Sequence, residues 1–256
     1  MAVALTVAGS DSGGGAGIQA DLKTFHALGV FGTSAITCVT AQNPGRVTAV
    51  QAIEPRVVRE QMDRVFEAFR VGSAKTGMLY DTAIIETVAH GFGRRKFSRL
   101  VVDPVMVATS GAVLLKKDAI TALTTKLFPR AALVTPNLAE TEVLTHCSIR
   151  TLDELRAAAR LLADKFGVPF LVKGGHLRSA KQAVDVLFDG KRFREYRAVR
   201  VPNIRTHGTG CTFSAAIAAN LALGHDLNEA IGRAKRFVTN AIRGAVNVGR
   251  YSTLRI

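Results

Sequence analysis

The sequence predicts an α/β fold: a single three-layer α/β/α domain around a mainly parallel central sheet. Three observations carry that expectation. Short apolar runs alternate with amphipathic segments along the whole chain. The runs are rich in Val, Ile and Leu and show little period-two alternation, as strands buried on both faces do. No internal repeat, low-complexity tract or linker divides the 256 residues, so residues 1–256 are read as one domain.

In chain order, the strands are expected at 2–8, 34–41, 47–53, 73–76, 99–103, 132–135, 169–173 and 183–188, with 192–200 as a further candidate. The helices are expected at 16–28, 55–69, 81–92, 118–128, 138–146, 151–166, 211–223 and 226–246. The run 2–8 has no basic stretch before it and is too short to cross a bilayer, so it is read as a first buried strand. No other stretch reads as transmembrane. Parallel sheets of this kind collect ligands at the carboxyl ends of their strands, which puts the loops 9–15, 42–46, 103–112 and 136–140 together.

Composition narrows the partners. Aromatic residues make up 6% of the chain and Trp is absent, which argues against stacking platforms for single-stranded nucleic acid. The net charge is +14, much of it between Arg94 and Arg99 and between Lys191 and Arg205. Those clusters serve either an anionic partner or solubility, and neither lies in a recognisable nucleic-acid module. Cys38, Cys147 and Cys211 are far apart with no CxxC, so neither a disulfide framework nor a zinc site is expected. The expected compartment is a reducing cytoplasm. A homodimer stays open.

The richest motif is His207-Gly208-Thr209-Gly210-Cys211-Thr212-Phe213-Ser214, a polar turn opening a small-residue helix. Gly208, Thr209 and Gly210 leave the first N–H groups of that helix able to face an anion, and the helix dipole adds positive charge there. Cys211 on the first turn is expected to have a lowered thiol pKa and to act as a base. The rival reading is a glycine turn before a packed helix, with Cys211 as a small core residue.

The other strand ends carry weaker signals. The loop from Gly9 to Gly17 permits close approach to the backbone but matches neither GxGxxG nor a P-loop. Asp21, one turn into the following helix, either points at the pocket or favours the helix N-terminus. Gln42 either pairs with an aminopyrimidine edge or occupies a turn set by Asn43-Pro44-Gly45. Asp103, before Pro104, suits a Mg²⁺ contact or a plain turn. Asn137 and Glu140 have capping-box spacing, and Glu140 also suits a metal-bound water. Lys173, before a Gly-Gly turn, either reaches a phosphate or is solvated. Their convergence favours an ATP-dependent kinase without a P-loop.

In order along the chain stand AGSDSGGGAGIQADLKTFHALGVFG, TAQNPG, AKTGML, VVDPVM, VTPNLAE, VKGGH and HGTGCTFSAA. Together they resemble the bacterial hydroxymethylpyrimidine/phosphomethylpyrimidine kinases of thiamine biosynthesis, which are ribokinase-like, from about residue 3 to about residue 240. The resemblance implies two transfers from ATP, first to 4-amino-5-hydroxymethyl-2-methylpyrimidine and then to its monophosphate. It implies that Gln42 reads the aminopyrimidine and that Gly9, Ala16, Asp21, Met78 and Val105 line its pocket. Gly208, Thr209 and Gly210 would form the anion hole, with Cys211 as base where many sugar kinases of the superfamily have Asp. Asp103, Asn137 and Glu140 would organise Mg²⁺–ATP, Asp103 and Glu140 on the metal side, with Lys173 near the phosphates. The implied partners are the small pyrimidine and ATP, with no nucleic acid and no membrane.

The sequence departs from the pattern in the loop Val107-Ala108-Thr109-Ser110-Gly111-Ala112, which lacks the usual Lys and Asp, and in its C-terminus and basic charge. A pyridoxal-type kinase on the same fold, with the same Cys, is the nearest rival. A non-catalytic pyrimidine- or nucleic-acid-binding protein is the rival of another class.

Overall fold

The computed structural model describes residues 1–106, 115, 117–175, 177, 182–202 and 207–256. The loop 107–112, singled out above, and His176, the last residue of the VKGGH motif, lie outside the described residues.

The strands are β1 (Val3–Asp11), β2 (Phe31–Asn43), β3 (Arg46–Ala52), β4 (Ser73–Thr76), β5 (Leu100–Val102), β6 (Leu133–Val134), β7 (Phe170–Gly174), β8 (Gln182–Phe188) and β9 (Phe193–Val199). They form one sheet in the order β3-β2-β1-β4-β5-β6-β7-β8-β9. From β2 to β7 every neighbouring pair is parallel; β3, β8 and β9 are added antiparallel at the two edges. The strand order turns between β1 and β4, which opens a crevice at the carboxyl ends of those two strands.

The helices are α1 (Gly17–Ala27), α2 (Pro55–Ala68), α3 (Thr82–Arg94), α4 (Lys117–Ala122), α5 (Leu138–Thr145), α6 (Leu152–Phe166), α7 (Thr209–Ala222) and α8 (Leu227–Arg243). Alternate residues of the central strands feed two apolar layers. Leu5, Leu100, Val102, Phe170 and Val172 pack with α2, α3 and α6 on one face. Ala4, Val101 and Leu171 pack with Phe25 of α1 and the alanine-rich α7 and α8 on the other. The three-layer expectation is met. α7 is buried along almost its whole length, which explains its small side chains: bulky ones would hold it away from the sheet.

Four details differ from the sequence expectation. The edge strands β3 and β9 have no fully buried residue, because each has a sheet neighbour on one side only; β9 is still touched by α6, through Arg156 and Glu195, and by α8, through Asn228 and Tyr196. β1 runs on to Asp11, so Gly9 and Ser10 belong to the sheet, with a register irregularity between Ala8 and Ser10. The helix expected at 118–128 divides into α4, a π turn (Leu123–Leu127) and a 3₁₀ turn (Phe128–Arg130), since Pro129 cannot continue an α-helix. The helix expected to reach 246 ends at Gly244, and the chain continues as a hairpin of β10 (Val246–Val248) and β11 (Tyr251–Thr253).

Candidate active site

The loop from β1 to α1 is organised by Asp11. Its Oδ1 accepts the Gly13 N–H at 2.8 Å, and its Oδ2 accepts the N–H groups of Ala16 at 2.8 Å and Gly15 at 3.2 Å. Ala16, at the N-cap of α1, has no side chain for capping, so the Asp11 carboxylate supplies the acceptor from outside the helix. Burial works against the Asp11 charge, but the His207 hydrogen bond and these N–H groups hold its carboxyl below the ordinary 3.8. A depressed carboxyl stabilises the fold fully above its unfolded value and loses that contribution as pH falls through the folded value. Asp11→Asn is therefore expected to lower stability near neutral pH and to flatten the loss of stability below about pH 4, checked by thermal unfolding across the acid range.

The end of β2 locks onto this loop. Ser12 Oγ donates to the Gln42 carbonyl at 2.7 Å and accepts the Gln42 N–H at 2.8 Å. The Gln42 carboxamide lies 3.0 Å from His207 Nε2 through its nitrogen and accepts from Thr40 Oγ1 at 3.2 Å through its oxygen. His207 Nε2 also stands 3.2 Å from Asp11 Oδ2. At least one amide hydrogen and one lone pair of Gln42 remain for a heteroaromatic edge. A Cβ placed on Gly9 would lie 2.7 Å from Cys38 Sγ and 3.6 Å from Met78 Sδ, so Gly9 packs tightly against β2 and lies beside Met78, while Met78 and Ala16 are each 8% exposed. Val105, on the loop after β5, has φ of 40°, a strained conformation for a β-branched residue and one that collects at functional sites.

α7 starts against the same loop. Gly208 is its N-cap at φ of 83°, and a Cβ there would lie 1.7 Å from the Gly15 carbonyl oxygen. Only glycine permits the two turns to pack backbone to backbone. Gly210 faces Lys173 and Asp103: a Cβ there would lie 3.3 Å from Lys173 Nζ and 3.8 Å from Asp103 Oδ2. Lys173 on β7 donates to Asp103 Oδ1 at 2.9 Å, and Ser214 on α7 donates to Asp103 Oδ2 at 3.0 Å. Burial opposes the Lys173 charge, while Asp103 and Glu140 together raise its pKa.

Asn137 and Glu140 form the capping box of α5, with Glu140 Oε2 accepting the Asn137 N–H at 2.8 Å and Asn137 Oδ1 accepting the Glu140 N–H at 3.0 Å. Glu140 Oε1 accepts the Met106 N–H at 3.2 Å. Burial raises the Glu140 carboxyl; Lys173 opposes that shift and Asp103 adds to it. Among the described residues no group of three His, Cys, Asp or Glu side chains is arranged to hold a metal ion. Asp103 and Glu140 are two carboxylates beside one lysine, with lone pairs remaining. That donor set fits Mg²⁺, which takes one or two protein carboxylates and completes its shell with water and phosphate oxygens.

Cys211 is half-buried, and its thiol accepts the N–H of Gly17, so the sulfur sits at the N-termini of both α1 and α7. The lowered pKa expected from the helix position is not found. Burial pushes the thiol up to about 11, with Asp21 and Asp103 adding to the shift and Lys75 and the Gly17 N–H opposing it. Desolvation outweighs the dipole because the thiol has little contact with water. Asp21 also departs from expectation. It is fully buried behind the crevice wall, where its carboxylate accepts Thr6 Oγ1 at 2.6 Å and both oxygens accept Lys75 Nζ, at 2.9 and 2.8 Å.

Lys75, His207, Asp11 and Ser214 are the residues that sequence reading did not assign to the site. Lys75 carried a usable signal, a lone cation inside a strand otherwise made of small buried residues. The partners of Asp11 and His207 lie 196 positions apart in sequence and carried none.

A phosphomethylpyrimidine kinase family model matches residues 11–254. The hydroxymethylpyrimidine/phosphomethylpyrimidine kinase of Bacillus subtilis is 44% identical over 96% of this chain and 91% of its own. The thiamine biosynthesis bifunctional protein ThiED of Geobacter sulfurreducens is 49% identical over 96% of this chain, which spans 50% of that longer protein. Among solved structures, an ADP complex of Bacillus subtilis pyridoxal kinase superposes with a TM-score of 0.92 at 37% identity, covering 100% of this chain and 97% of its own. The family match over nearly all of the sequence agrees with the Gly208–Cys211 turn, the Lys173–Asp103 pair and the Gln42 strand end found at one crevice, and the chain belongs to the phosphomethylpyrimidine kinase family.

Proposed function

We propose that the protein transfers the γ-phosphoryl group of ATP to 4-amino-5-hydroxymethyl-2-methylpyrimidine, and then a second one to the monophosphate, in thiamine biosynthesis. The observation that carries the reading is the meeting, at the carboxyl ends of the central strands, of a helix start suited to an anion, a lysine–carboxylate pair and a thiol. The first N–H groups of α7 at Gly208 to Gly210 hold and neutralise the transferring phosphoryl group. Lys173 stands beside that turn as a second positive group. The Cys211 thiolate takes the proton from the substrate hydroxyl, so the oxygen attacks as it becomes negative. Asp103 and Glu140 would hold Mg²⁺, which when bound neutralises phosphate oxygens. Asn137 fixes Glu140 through the capping box. The reaction tolerates a thiol base of high pKa because phosphoryl transfer relies chiefly on positioning and charge stabilisation.

On the acceptor side, Gln42 reads the aminopyrimidine, with Gly9, Ala16, Met78 and Val105 forming the walls and Asp21 acting from behind them. Gln42→Leu preserves size and removes both hydrogen-bonding groups, leaving a buried edge unsatisfied at about 1–3 kcal/mol per group. The expected result is a large rise in KM for the pyrimidine alcohol with KM for ATP little changed. An unmoved pyrimidine KM would return Gln42 to a turn residue.

The direct test is ATP turnover measured with the alcohol and then with its monophosphate. No acceptor-dependent turnover with either would sink the proposal. The superposition on a pyridoxal kinase makes pyridoxal the competing acceptor, and kcat/KM for the two alcohols ranks them. The three cysteines are unpaired, which fits a reducing cytoplasm. Among the described residues no helix is long and apolar enough to cross a membrane.

A further inference from the structure

We propose that the buried Lys75–Asp21 pair controls the reactivity of the Cys211 thiol, with Lys75 as the cation that favours the thiolate and Asp21 as the group that restrains it. The proposal rests on the reading of Cys211 as the base and adds two positioning residues to it.

The geometry runs through α1. Gly17 opens that helix and gives its N–H to Cys211, and Asp21 lies four residues on, on the same helical face. Lys75, on β4, meets Asp21 from the sheet side, and both side chains are 0% exposed. A Cβ placed on Gly77 would lie 2.9 Å from Lys75 Nζ, so the ammonium is turned toward the carboxyl edge of the sheet, where the crevice opens. α7 packs against both α1 and β4. The charge is thus carried to the thiol without contact with solvent, where screening is weak.

An ion pair wholly inside an apolar layer is poor value as a stabilising device, since well-packed apolar residues of the same volume serve as well or better. Its position beside a nucleophile supplies a reason for it. Four charged groups face the thiol from the elements around it. Lys75 on β4 lowers its pKa, while Asp21 on α1 and Asp103 after β5 raise it. Lys173 on β7 is held charged against burial by Asp103 and Glu140, and a Cys211 thiolate adds to this. The Lys75 charge is maintained, against burial, chiefly by Asp21, with a Cys211 thiolate, when it forms, and Asp103 adding to it.

The test follows alkylation of Cys211 by iodoacetamide as a function of pH, read by mass spectrometry on the Cys211 peptide so that Cys38 and Cys147 do not contribute. It needs no turnover, so its result is independent of whether Cys211 is the base. Asp21→Asn keeps a partner for Thr6 and Lys75, and the alkylation rate at pH 8 is expected to rise about tenfold, one pH unit of thiolate. Lys75→Met is expected to lower it by about the same factor, and the double variant to lie between the two. Opposite signs from two partners of one pair are not what a structural disturbance gives. Superimposable profiles for parent, Asp21→Asn and the double variant, or a shift of the same sign in both single variants, would overturn the proposal. If Lys75→Met does not fold, the other two variants decide.

Discussion

Cys211→Ala is expected to lower kcat by roughly 10²–10⁴-fold, the usual range for loss of a general base, and to leave ATP affinity close to the parent value. The two halves of that expectation have separate causes. The substrate hydroxyl is a poor nucleophile until its proton leaves, and the thiol sits where two helix starts meet. In the proposed reading the nucleotide instead meets the N–H groups of Gly208 to Gly210 and the Lys173 ammonium, none of which the substitution removes. A thiol pushed up to about 11 also predicts the pH behaviour. Alkylation of Cys211 should go on accelerating with pH well beyond neutrality, with no plateau near pH 7, and bound pyrimidine should slow it. A Cys211→Ala protein that folds normally and keeps kcat within a few-fold of the parent would make the cysteine structural.

Gly208→Ala is expected to damage both stability and turnover. A left-handed backbone costs a non-glycine residue roughly 1–2 kcal/mol, and forced repacking typically adds about 1–3 kcal/mol. At φ of 83°, with a Cβ 1.7 Å from the Gly15 oxygen, both penalties apply. For a chain of this size the melting temperature should fall on the order of 5–15 °C. The turn must also move away from the β1–α1 loop, displacing the anion-binding N–H groups, and an ångström of misplacement costs on the order of 10²-fold in kcat/KM. Parent-like melting and turnover in Gly208→Ala would show that the two turns are not constrained as described.

The order of elements and the layering were legible because buried parallel strands advertise themselves as unbroken apolar runs. The edges were less so. β9 carries Arg194, Arg197 and Glu195 on an exposed strand, a pattern that local periodicity separates poorly from a loop. The expected end of α8 at 246 overshoots because Gly244 ends the helix with no polar run to announce it, and the sequence carries no expectation for the hairpin beyond.

Within the site, the capping box of Asn137 and Glu140 could be read directly, since both partners lie within four residues of each other. Asp21 and Cys211 were misjudged for one shared reason. Helix position is written in the sequence, but the density of surrounding atoms is not, and at both residues the surroundings decide. Lys75 shows the same limit. Its ion pair with Asp21 joins residues 54 positions apart, and only the adjacency of β1 and β4 brings them together.

That adjacency has a consequence for how such a protein changes its acceptor. The strand order reverses at β1 and β4, so the groups assigned to the acceptor come from the first 80 residues, apart from Val105 and His207. Those assigned to the nucleotide and its metal come from the later part of the chain, at Asp103, Asn137, Glu140 and Lys173 near the strand ends and at Gly208 to Gly210 where α7 begins. The thiol, on α7, stands at the boundary. Choice of alcohol and handling of phosphate are thus encoded in largely separate stretches of chain that meet only in the folded molecule. On that assignment a new heteroaromatic alcohol would be fitted by altering one stretch while the other is left as it stands.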